Sequence, residues 1–177
     1  MKAVPRIFWV LMLAGVGPPL LAQEVASIQT SATVIPSISV EARQELLLGD
    51  IVAGETKRVN VDGSAIGAEI GGEQAGVFRI ESGGRVFVRF DNLPTSLLGV
   101  DPLNSGQSLP VRFLTSWSNS PSGAGSASAI DPTAATAIET SGDDLYLFIG
   151  AEVSAPAAQR EGLYTTTITI LVTYGLE

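Results

Sequence analysis

GLYTTTITILVTY, residues Gly162 to Tyr174, decides the fold class. Tyr164, Thr166, Ile168, Ile170, Val172 and Tyr174 fall on one side of an extended chain, and four threonines with Leu171 fall on the other. Branched and aromatic residues that alternate for this long describe a half-buried β-strand. The expectation is one strand running from Gly162 to Tyr174, with Ile168, Ile170 and Val172 facing the core. Tyr174 is expected to close the sandwich end, its hydroxyl near water or a backbone acceptor.

The same period-two rhythm extends upstream. Phe78 and Ile80, then Val86, Val88 and Phe90 after Ser82-Gly83-Gly84, read as a hairpin between Val77 and Phe90. Further strands are predicted at Ile28 to Val34, Ser37 to Glu41, Glu45 to Leu48, Lys57 to Val61, Val111 to Trp117 and Leu145 to Ile149. Pro36 divides the first two, because proline cannot donate to a ladder. Gly, Pro and Asp turns separate these segments, so the chain reads as an all-β, immunoglobulin-like or pilin-like sandwich of two sheets and about seven to nine strands. Residues 118–144 break the rhythm. This Ser/Ala/Gly-rich stretch has Ile130 and Ile138 as its large apolar residues and is expected to be a long loop.

Residues 1–22 have the order of a Sec signal peptide: Lys2 and Arg6, the apolar run Ile7 to Val16, then Ala22 before Gln23. The expectation is export to the periplasm, cell surface or medium, with 23–177 as one domain. The whole chain carries a net charge of −8, and the leader holds two basic residues and no acid, so the exported chain is more acidic still. Such a surface repels phosphate backbones, and no nucleic-acid partner is expected. Lys57 is the one lysine after the leader, which leaves no polybasic patch for a membrane.

There are no histidines and no cysteines. That removes Ser-His-Asp and Cys-His catalysis and nearly every zinc site, so no enzyme activity and no cofactor are expected. Asp131, Glu139, Asp143 and Asp144 offer oxygen ligands for calcium, but in no EF-hand spacing, and a solvated loop is the plainer reading. The glycines from Gly67 to Gly76 lack the setting of a phosphate loop and read as turns. Arg79, Arg85 and Arg89 around Phe87 form a candidate surface patch for an acidic partner, against the plainer reading of a solvated face. Trp117 is either core or a platform for a glycan.

The C-terminal segment also resembles the closing strand of chaperone–usher and spore-coat-U-like pilins, in which a glycine opens the strand and a near-terminal tyrosine closes it. Gly162 and Tyr174 occupy those positions here. The whole chain is similar to a bacterial family of secreted domains, domain of unknown function 4402. SATVIPSISVEARQELLLGDIVAG, LYLFIGAEV and GLYTTTITILVTY carry that likeness in order. It departs from pilins in having no cysteine, in the three residues after Tyr174, and in an N-terminal arm whose strong pocket-fillers are Val25 and Ile28. The resemblance implies a structural or adhesive protein whose partners are other protein subunits or a periplasmic chaperone, acting through strand pairing at Gly162, Tyr164, Ile168, Ile170, Val172 and Tyr174. The thin arm favours a ladder completed within one chain, by Ile28 to Val34. A secreted carbohydrate- or polymer-binding module is the alternative.

Overall fold

The computed structural model describes residues 37–67, 71–140 and 144–175. The expected leader, the arm and its first strand candidate lie outside the described residues. The chain forms β1 (Ser39–Gln44), β2 (Thr56–Val59), β3 (Ala65–Ile66), β4 (Gly76–Glu81), β5 (Val86–Asn92), β6 (Ser96–Gly99), β7 (Ser108–Ser118), a 3-10 turn (Gly123–Ser126), β8 (Ser128–Ala129), β9 (Thr136–Ile138), β10 (Leu145–Ser154), β11 (Tyr164–Thr165) and β12 (Thr169–Tyr174). It is an all-β, two-sheet sandwich, and the expected class holds. Among the described residues the twelve strands exceed the expected number because β3, β8 and β11 are two-residue pieces too short to announce themselves by alternation.

The larger sheet runs β1-β4-β10-β7-β6-β11. In it β2 adds to the second half of β10, β3 to β2 and β8 to β7. The smaller sheet is β12-β5-β9. β10 and β7 form the spine, paired from Tyr146↔Ser118 to Val153↔Val111. Between the sheets, Ile80, Val86, Val88, Ile138, Leu145, Leu147 and Ile149 are buried and make one core.

Two expectations fail on connectivity and hold on face. β4 and β5 do not form a hairpin: β4 pairs with β1 and β10, and β5 pairs with β12 and β9. Gly83 and Gly84 are not among the residues with positive φ, which short hairpin turns demand. Instead Ser82 turns inward. Its hydroxyl shares a 3.1 Å hydrogen bond with that of Thr140, and both residues are buried. Alternation reports which face is buried and not which strand lies alongside, so Ile80, Val86 and Val88 point to one interior from opposite sheets.

The C-terminal segment is not one strand. It pairs with β6 at Tyr164–Thr165, passes from the larger sheet to the smaller, and joins β5 from Thr169 to Tyr174. The side-to-side alternation persists across the crossing, with Thr166, Ile168, Ile170 and Val172 half-buried and Thr167, Thr169, Leu171 and Thr173 exposed.

Residues 118–144 are likewise more than a loop. Ile130 and Ile138 are core residues, and β8 and β9 tie the excursion to both sheets. Glu45 to Leu48, expected as a strand, makes one isolated bridge, Leu47 with Gln74.

Candidate functional site

A groove of about 940 Å³ runs along one side of the sandwich. Phe78, Leu97, Leu109, Phe113 and Ile149 form an apolar floor, contributed by four strands of the larger sheet. One wall is the segment from Gln44 to Ile51, and the other runs from Gln159 to Ile168. Leu46, Leu48 and Ile51 turn partly inward against the core.

The second wall is stiff for local reasons. Asn104 is fully buried, and its Oδ1 accepts from the Asp101 amide at 2.8 Å while its Nδ2 donates to the Leu163 carbonyl at 2.9 Å. The Leu163 amide donates to Asp101 Oδ2 at 2.6 Å. Gly162 is threaded through this knot at φ +129°. A Cβ there would lie 2.5 Å from Asn104 Nδ2 and 2.7 Å from Asp101 Oδ2, so only glycine fits. Tyr164 completes the wall, its hydroxyl accepting from Gln159 Nε2 at 2.6 Å and donating to the Arg160 carbonyl at 2.7 Å.

The strand-pairing residues expected from sequence are therefore divided. Gly162, Tyr164 and Ile168 line the groove, whereas Ile170, Val172 and Tyr174 belong to β12. Among the described residues β12 pairs only with β5. Leu171 stands on its exposed side. The hydroxyl of Tyr174 is buried without a partner among the described residues, contrary to expectation.

The arginine patch is not one surface. Arg79 lies on β4 in the larger sheet, and Arg85, Phe87 and Arg89 lie on or beside β5 in the smaller one. Each guanidinium has an acidic partner. Arg79 binds Glu81 at 2.6 Å and Asp144 at 2.7 Å. Hydrogen bonding to Asp144 holds its proton more tightly than usual. Arg85 meets Glu139 at 3.1 Å and lies 5.5 Å from the Phe87 ring centre. Arg89 meets Asp91 at 3.4 Å.

These pairs also disperse the candidate calcium ligands. Glu139 and Asp144 are bound to arginines, and Asp143 lies outside the described residues. Asp131 closes its own turn, its carboxylate kept below the usual range by the Thr133 hydroxyl and amide. Among the described residues no group of acidic side chains is placed to hold a metal ion. Trp117 is half-buried against the core. Gly67 and Gly72 adopt positive φ, as turn glycines do.

Sequence reading missed two features of the groove walls. One is the Asp101–Asn104 knot. The other is a buried ion pair between Lys57 and Glu73, whose side chains are 2% and 5% exposed. No protein-family model matches this chain, and no curated protein matches it in sequence.

Proposed function

We propose that this is an exported, non-enzymatic structural or adhesive protein, pilin-like in action, which works by accepting a β-strand from another protein subunit. The observation that carries this reading is the open groove with its apolar floor, walled on one side by the segment that continues into β12. An extended peptide laid there meets main-chain groups along its length, and its alternate side chains find the floor. Although the arm of residues 23–36 has only Val25 and Ile28 as strong pocket-fillers, it is the segment of that kind that a neighbouring copy would present to the groove. A periplasmic chaperone would use the same surface before assembly.

The chain has no cysteine, so engineered thiols report without interference. Ile28→Cys combined with Leu48→Cys, in residues 23–177 under mild oxidation, places one thiol on the arm and one on the groove wall. Laddered disulfide-linked oligomers are the expected result. A monomer whose only disulfide is internal, or no disulfide at all, would overturn the assembly reading. Retention of that monomer on a polysaccharide column would transfer support to the carbohydrate-binding alternative.

A further inference from the structure

We propose that the buried Lys57–Glu73 ion pair is an acid-released clasp that holds the groove's loose wall in place, so that protonating Glu73 frees the wall and widens the groove. The proposal rests on the groove being the working surface and adds how access to it is controlled.

The wall in question, residues 45–53, has no ladder of its own. It is fixed by the Leu47–Gln74 bridge, with both hydrogen bonds at 2.9 Å, and by the Gln74 side chain donating to the Glu45 carbonyl at 2.9 Å. Just past its end, the Gly54 amide donates to the Ala155 carbonyl at 2.8 Å. The floor strands β7 and β10 are instead paired along their lengths. A segment with few backbone bonds sits at the low end of local stability, and one well-placed side-chain contact decides its position.

That contact is the Lys57 ammonium. From β2 it reaches across and donates to the Asp50 carbonyl on the wall at 2.7 Å, while ion-paired to Glu73. Glu73 Oε1 also accepts from the Gly71 amide at 2.7 Å. Gly49, at φ +64°, is pressed against this arrangement. A Cβ there would stand 2.6 Å from the Gly71 carbonyl and 3.2 Å from Lys57 Nζ. Three chain segments thus converge on a single buried charge pair.

Among the described residues no second carboxylate is in ion-pair contact with Lys57. Gly49 and Asp50 face it from the wall and Gly71 from the turn. Gly67 packs on the Lys57 stem, its would-be Cβ 3.1 Å from Lys57 Cγ. Asp50 offers its carbonyl, and the residue is exposed. When Glu73 takes a proton from water, a buried ammonium loses its counter-charge, and burying a lone charge is far costlier than exposing it. Moving the wall aside hydrates it. The Lys57 and Gly71 hydrogen bonds keep Glu73 below its ordinary value of 4.5, so the clasp is fully closed above that value and releases only as pH falls through the lower folded one.

Residue-resolved hydrogen exchange on Glu73→Gln, which mimics the protonated acid, tests this in the full exported chain without any ligand. The Leu47 amide and its neighbours in the wall should exchange about tenfold faster or more, with β7 and β10 unchanged. Wall exchange in the wild type, corrected for intrinsic rate, should be flat above pH 4.5, rise as pH falls below it, and be flat throughout in the variant. If the variant does not fold, the wild-type profile alone decides. No change in the wall, or an equal rise throughout the sandwich, would overturn the clasp. Faster disulfide formation in the Ile28→Cys, Leu48→Cys protein on adding Glu73→Gln links it to the groove. Oligomer disulfides without a wall response defeat the clasp alone, and a wall response without oligomer disulfides defeats the assembly reading alone.

Discussion

Val88→Asp tests the assignment of faces on which the sandwich depends. Val88 is 0% exposed in the middle strand of the smaller sheet, opposite Val172 of β12 and Thr136 of β9. Losing its burial costs about 1.5–3 kcal/mol. The new carboxyl has no cation in the core and takes up a proton. Moving its pKa from about 3.9 to 7 costs about 4 kcal/mol at pH 7, at about 1.36 kcal/mol per unit. The total, about 6 kcal/mol, is comparable to the whole stability of a typical domain, about 5–15 kcal/mol. Arg89→Asp is the control one residue away. Its side chain is 55% exposed and its bond to Asp91 is a surface pair, so the change stays within about 1 kcal/mol. Urea unfolding of residues 23–177 followed by Trp117 fluorescence measures both, since Trp117 is their single tryptophan. A Val88→Asp midpoint equal to the wild type, or a larger loss in Arg89→Asp, would refute the reasoning.

Replacing Asn104 by Ala leaves the Asp101 amide and Leu163 carbonyl without partners and should cost about 1–3 kcal/mol for each group, with the loss of exchange protection concentrated at 162–165. Gly162→Ala should destabilise the same region, because both its φ and its space exclude a side chain. Glu73, Asp62 and Asp131 are all held below their ordinary values, Glu73 by Lys57 and the other two by neighbouring hydroxyls and amides. Their stabilisation is complete above those values, 4.5 for Glu73 and 3.8 for the two aspartates, and is lost as pH falls below them, so urea midpoints should be flat near neutrality and drop in acid. Mass spectrometry of the exported protein should find its N-terminus at Gln23, and full-length protein retained in the cytoplasm would contradict export.

The sequence was informative where a single residue's surroundings suffice. Alternation placed Val86, Val88 and Ile170 on the inner side, and Ile130 and Ile138 stood out as the large apolar residues of a polar stretch. It was uninformative where the answer depends on a partner far along the chain. Period two cannot distinguish a hairpin from a crossing between sheets, so β4 and β5 were joined and β11 and β12 were not separated. The groove shared that limit. Gly162 and Tyr164 were legible, but Asn104 reaches Leu163 across 59 positions. Lys57 signalled only by being the lone lysine after residue 22, with nothing local to connect it to Glu73.

The central claim is that the C-terminal segment retains unused pairing capacity in one copy of the protein. Residue-resolved amide exchange from Thr165 to Thr173, in monomeric protein at neutral pH, tests it most directly. The expected result is alternation along β12, with amides directed at β5 slow and those directed away from it fast, the fast set slowing when oligomers form. Uniformly slow exchange through Thr165 to Thr173 in the isolated monomer would mean that both edges are already paired within one chain, and would contradict the account.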